Sequence, residues 1–198
     1  MNLLSNAAGF DSPARLIDAI AFAAEVHRMQ RRKDIEASPY INHPLALLRI
    51  LAVEAGITDT DVLCAAALHD YLEDCCGGAS PTTLGQGRAL LRERFGATVL
   101  DYVEAVTDDK MLDKAQRKRL QVENAGRKPH GARLVKLADK IANLRDILGA
   151  PPAHWSLQRR QDYFDWAAQV VAPMRGTHSK LEALFDAEFA RRPDAAAA

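Results

Sequence analysis

The sequence predicts an all-α fold, and three observations carry that prediction. Apolar residues recur three and four positions apart along nearly the whole chain, the period of one helix face. No stretch alternates apolar and polar residues for long enough to build a sheet. Stops such as Gly56, Gly77-Gly78 and Gly149 punctuate the periodic stretches at helix lengths.

Taken in order, Ala14 to Met29 places Leu16, Ile17, Ile20, Ala23, Ala24 and His27 on one face. Pro44 to Ala55, with Leu45, Leu48, Ile50 and Leu51, reads as a second helix stopped by Gly56. Thr58 or Asp59 caps a third, running from about Asp61 to Asp74. Its first part, Val62 to Leu68, is apolar all round, the mark of a buried helix. Gly77-Gly78-Ala79-Ser80-Pro81 is a turn. Arg88 to Arg94 and Ala97 to Val106 follow as helices separated by Phe95-Gly96. Asp113 to Asn124 is polar and charged, either a surface helix or a mobile segment. Ala132 to Leu148 is strongly amphipathic and ends at Gly149 and Pro151-Pro152. Ser156 to Met174 and Ser179 to Arg191 complete the set. With no internal repeat, residues 1–198 read as one domain, its core from about residue 14 to 191 and residues 192–198 a disordered tail.

The 198 residues carry 26 basic and 26 acidic side chains, so zero net charge gives no support to a nucleic-acid or membrane-surface binder. No apolar run approaches the roughly 20 residues of a membrane helix, and the start lacks a secretory signal. Three cysteines, two of them adjacent, imply no disulfide framework. The expectation is a cytoplasmic protein.

Chemistry concentrates where the buried third helix turns polar, at His69-Asp70-Tyr71-Leu72-Glu73-Asp74. On a continuous helix His69 and Glu73 stand four apart, as do Asp70 and Asp74, so the four groups form one patch. Imidazole and carboxylate together suit Mn²⁺, Fe²⁺ or Zn²⁺. The competing reading is a helix merely reaching solvent. His43, just before Pro44, sits near the start of the second helix, either as a ligand arriving from another element or as a plain capping residue. His27, on an apolar face, reads as a packed core histidine, and His130, His154 and His178 receive no role. Asp139, Asn143 and Asp146 recur opposite the apolar side of their helix; periodicity alone makes that a solvated face, which only a partner site would turn into ligands. The run Arg28, Arg31, Arg32, Lys33 is either a solvated helix end or an anion site for phosphates.

Taken together, HRMQRRKD (27–34), PYINHP (39–44), AALHDYLED (66–74), FG (95–96), VTDDK (106–110) and LVKLADKIANLRD (134–146) resemble, in order, the HD-domain alarmone hydrolases of the RelA/SpoT group. WSLQRRQDYFDWAAQVV (155–171) is similar to the small hydrolase-only members, including the metazoan type. The resemblance implies an all-helical HD fold with one Mn²⁺ held by His43, His69, Asp70 and Asp139. It implies that Glu73 and Asp74 orient and activate the attacking water, that Arg32, Lys33 and Asn143 contact the nucleotide, and that Tyr163 lines the pocket. The implied reaction removes pyrophosphate from the 3′ position of ppGpp or pppGpp. Alternatives are a metal-dependent phosphatase on another nucleotide such as NADPH, or a non-catalytic nucleotide-binding domain. Tyr71-Leu72 and Cys75-Cys76 depart from the pattern, as does the longer 75–94 connection. Tyr71 either narrows the pocket or packs beneath it, and the two thiols are expected to be free.

Overall fold

The computed structural model describes residues 13–194. Among them it contains ten α-helices and no strand, only an isolated bridge between Arg31 and Pro39. No described helix is long and apolar enough to cross a membrane.

Helix α1 (Pro13–Val26) buries the small residues Ala19 and Ala23 and packs on α3 (Thr60–Leu68). The Asp59 carboxylate caps α3, accepting from the amides of Asp61 and Val62. Every residue from Val62 to Leu68 is buried, as an all-round apolar segment requires. Around α3 stand α1, α2 (Asn42–Leu48), α6 (Ala97–Val106) and α8 (His130–Gly149). The run Cys64-Ala65-Ala66-Ala67 explains the crowd: small side chains let neighbours approach from all sides. α8 is the other central element. Gly131 allows its entry beside α6, because a Cβ there would stand 2.3 Å from the Tyr102 ring.

The second helix differs from expectation. It begins at Asn42, one residue before His43, and after Leu48 the backbone widens into a π-helix over Arg49–Ala55, closed by Gly56 in a left-handed conformation (φ 79°). The third is also corrected. It does not run on to Asp74: helical geometry lapses over His69-Asp70, and a separate short helix α4 (Tyr71–Cys75) follows. The turn at Gly77-Gly78 is present, and α5 (Leu84–Phe95) starts earlier than the apolar period suggested because Thr83 and Gln86 form a capping box.

Asp113 and Gln116 make a second such box for α7 (Lys114–Asn124), a surface helix with no buried residue. It is attached through Trp166 of α9 (Leu157–Val171), whose indole N–H donates to the Lys118 carbonyl at 3.2 Å. α10 (Ser179–Phe189) closes on α8, where Arg145 pairs with Glu188 at 2.8 Å and, on its other side, with Glu54 of the π segment. Of the tail expected to be disordered, residues 192–194 are described. Arg192 makes a two-point ion pair with Asp165, and the Pro193 carbonyl accepts from Gln161. Residues 195–198 lie outside the described residues.

Candidate active site

The lapse at His69-Asp70 builds the site. Because the chain turns there, both side chains swing toward one point that also receives His43 from the first turn of α2. Donor atoms of His43, His69 and Asp70 lie within 4.8 Å of one another. Both histidines are buried, so His43 is no solvent-facing cap.

The His69 ring sits 2.9 Å from the Ala66 carbonyl through Nδ1. A carbonyl only accepts, so Nδ1 carries a proton and Nε2 is the nitrogen turned into the cluster. That nitrogen is buried and stands 2.8 Å from Asp70 Oδ2; burial works to lower the ring's pKa, but Asp70 beside it raises it above the ordinary value. A ring nitrogen and a carboxylate oxygen so close repel unless a proton or a cation lies between them. His43 Nδ1 is likewise buried without a hydrogen bond. The donor set therefore fits a divalent cation, and a borderline one by ligand type.

Asp70 is an anion ready for one. Burial works to raise its pKa, but His69, His43 and the Tyr40 hydroxyl outweigh it and hold it below the carboxylate range. Burial and the neighbouring acids push the Tyr40 phenol upward, so it keeps its proton and donates it to Asp70. Tyr40, unassigned from the sequence, is thus the outer support of the cluster.

Asp139 corrects the solvated-face reading. It is only 8 % exposed, and its Oδ1 lies 3.4 Å from His43 Nε2, beside the cluster. Asn143 donates to the same oxygen at 2.6 Å, and Lys140 reaches Oδ2 at 3.0 Å. Burial would raise this carboxyl's pKa, yet Lys140, His43 and Lys136 hold it well below normal. Lys140 is itself buried, 4.3 Å over the Trp166 ring. What one-dimensional periodicity marks as an outer face is covered by other helices.

Glu73 and Asp74, on α4, lie beyond the metal cluster. Glu73 is half-buried and accepts from the Asp108 amide at 3.1 Å; burial, only partly offset by that amide, raises its pKa. Asp74 is exposed, with Gln30 Nε2 on one oxygen at 2.7 Å and Lys110 Nζ on the other at 2.6 Å. A cleft of about 470 Å³ opens beside Asp74, lined by Arg32, Lys33, His43, Asn143, Trp155 and Tyr163 among others, whereas Glu73 faces a second, larger cleft that Asp74 also borders. All four residues expected to meet the nucleotide are therefore in one place. Arg32 pairs with Asp146, and Lys33 is exposed at the rim. Asn143 also holds Asp139, a duty the sequence did not suggest.

Tyr71 is buried edge-on against Phe22, with ring centroids 5.0 Å apart, so it packs beneath the site. All three cysteines are free, and burial pushes the Cys75 thiol up to about 12.

The HD domain profile matches residues 19–165. The chain belongs to the HD domain family. Its relatives within that family are closely similar. The guanosine-3′,5′-bis(diphosphate) 3′-pyrophosphohydrolase MESH1 of Homo sapiens is 52 % identical over 179 residues, covering 90 % of this chain and 95 % of the relative. The protein of the same name from Drosophila melanogaster is 44 % identical over 179 residues, with the same coverage. A solved structure described as a metazoan ortholog of SpoT that hydrolyzes ppGpp superposes with a TM-score of 0.83 at 44 % identity, covering 91 % of this chain and 97 % of that one. In this HD domain the His-Asp cluster marks a divalent-metal site.

Proposed function

We propose that this HD domain is a metal-dependent guanosine 3′,5′-bis(diphosphate) 3′-pyrophosphohydrolase, converting ppGpp to GDP and pppGpp to GTP with release of pyrophosphate. The observation that carries it is the convergence of the buried His69 and His43 with Asp70, whose Oδ2 is 2.8 Å from His69 Nε2, all donor atoms within 4.8 Å of one another. The activity carried by relatives of near-equal length supports the same reading.

His43, His69 and Asp70 would hold the ion, Mn²⁺ in this reading, with Asp139, whose Oδ1 lies 3.4 Å from His43 Nε2, as the fourth ligand. When bound there, a divalent ion lowers the pKa of water far below its bulk value of about 15.7 and draws charge from a phosphoryl oxygen. Glu73 and Asp74 orient the attacking water, whose oxygen bonds to the first phosphorus of the 3′-diphosphate while the bond from that phosphorus to O3′ breaks. The water proton passes to Glu73 or Asp74, which returns it to O3′ as that oxygen leaves as the ribose hydroxyl. Arg32 and Lys33 bind the anionic substrate at the cleft wall, Asn143 holds Asp139 and meets the nucleotide, and Tyr163 bounds the pocket. Three free thiols fit a reducing, cytoplasmic setting.

The test is product analysis. Metal-free protein is reloaded separately with Mn²⁺, Mg²⁺ and Zn²⁺ and offered ppGpp, pppGpp and NADPH. GDP and pyrophosphate from ppGpp, greatest with Mn²⁺, are expected. Intact ppGpp alongside dephosphorylated NADPH would replace the substrate assignment; inertness toward all three in every metal would overturn the enzyme.

A further inference from the structure

We propose that Gln30 is the positioning residue for Asp74, its amide locked in one orientation by the buried ring of His27. The inference rests on the reading that Asp74 acts on the attacking water.

Gln30 spans the gap between the two. Its Nε2 is 2.7 Å from Asp74 Oδ2, and its Oε1 is 2.6 Å from His27 Nδ1. The protons on this chain follow from elementary valence. An ionised carboxylate only accepts, so the amide must turn its NH₂ to Asp74. The carbonyl oxygen then faces His27, which must carry its proton on Nδ1. The ring is fixed in turn: it is 2 % exposed, lies 4.9 Å from the Tyr40 ring, and has Cys75 Sγ 3.6 Å from Nδ1 and 3.9 Å from Nε2. A flip of the amide would set its oxygen against the Asp74 carboxylate, so only the orientation that also gives Oε1 to His27 is satisfied.

Asp74 needs such a guide. Its side chain is 23 % exposed, on a helix of only five residues, and its second oxygen is held by Lys110, itself exposed on a flexible stem. The amide is the only one of its two partners that is anchored to a buried group. Gln30 also lies on the wall shared by the nucleotide-side cleft and a larger cleft of about 1410 Å³ on the other side of Asp74, where an unguided carboxylate has room to swing away. His27 thus serves both acids: Asp74 through Gln30, and Asp70 by bracing Tyr40.

The experiment uses Mn²⁺-loaded protein and ppGpp. Gln30→Leu is expected to lower kcat about 10- to 100-fold, as misplacing a catalytic group does. KM should stay within about twofold, and metal content should match the parent protein. Gln30→Glu, which keeps an acceptor for His27 but sets a carboxylate against Asp74, should lose kcat in the same way and guards against a folding artefact in the leucine variant. His27→Phe keeps a ring against Tyr40 and removes Nδ1; kcat should fall, and the His27→Phe/Gln30→Leu double variant should be no slower than Gln30→Leu alone. Ring ¹⁵N shifts of His27 should report a proton on Nδ1. A rise in KM with kcat intact would make Gln30 a substrate contact and overturn the proposal. Losses that multiply in the double variant, or a ring without a proton on Nδ1, would do the same. Full activity of Asp74→Asn would instead overturn the reading of Asp74; an inactive Asp74→Asn beside a fully active Gln30→Leu would overturn this inference alone.

Discussion

Asp139→Ala should damage the protein in two separable ways. The carboxylate is buried among two ammonium groups, Lys140 at 3.0 Å and Lys136 at 4.0 Å, which are themselves only 3 % and 7 % exposed. Removing the anion leaves positive charge stranded away from water, and breaking a buried pair in this way costs about 3–5 kcal/mol. Against a typical total of about 5–15 kcal/mol, that is a large fraction of the stability of the fold. The urea midpoint of metal-free protein should therefore fall steeply, with the slope unchanged if the transition stays two-state. Adding Lys140→Met to the alanine variant removes the nearer of the stranded charges and should restore part of the loss, a coupling of about 0.5–3 kcal/mol in the double-mutant cycle. The isosteric Asp139→Asn should be milder in stability yet still lose metal, measured as bound ion per chain, and turnover of ppGpp. An unchanged urea midpoint in Asp139→Ala would refute the stranded-charge argument. An Asp139→Asn protein that keeps its metal and its turnover would refute Asp139 as a ligand.

Glu73→Gln should retain metal and bind substrate but turn over roughly 10²–10⁴-fold more slowly, the usual loss for a water-activating group; loss of metal, measured in the purified variant, would make Glu73 a ligand. Arg32→Ala should raise KM more than it lowers kcat in steady-state kinetics, because its charge contacts substrate and transition state alike. Glu54 is held below its ordinary value of 4.5 by Arg145, so its ion pair stabilises the fold fully above that pH and is lost as pH falls through the lower folded value. Glu54→Gln should accordingly flatten the decline in melting temperature below pH 4.5, and an unaltered acid limb would show that the pair contributes nothing.

The sequence made some of this legible for clear physical reasons. A segment apolar on every side can only be satisfied inside, so Val62–Leu68 had to be central. The ordered motifs led to His43, His69 and Asp70, whose donor atoms the fold brings within 4.8 Å of one another. Other features were hidden because they depend on partners distant in sequence. Periodicity gives the direction of Asp139 but cannot say that Lys140, Asn143 and His43 cover it. The break at His69-Asp70 follows from tertiary demands, since neither residue stops a helix by propensity. Gln30, Tyr40 and Lys110 lay within quoted motifs, yet their roles appear only once a second element stands opposite each.

The π segment has a consequence for how this chain tolerates changes in length. One helical stretch meets the metal cluster with His43 near its start and a distant arginine with Glu54 near its end. Each residue in an α-helix turns the direction faced by about 100°. A uniform α-helix would rotate Glu54 out of phase with His43, so the wider turns over Arg49–Ala55 act as a phase adjuster between two fixed attachments. Elsewhere in the bundle, losing one residue from a helix would swing everything beyond it off its face. Here the backbone already holds slack of that kind, and a single deletion within 49–55 can be taken up by tightening toward α geometry. The protein thus carries in its second helix a place where chain length is negotiable while the rotation of His43 is not.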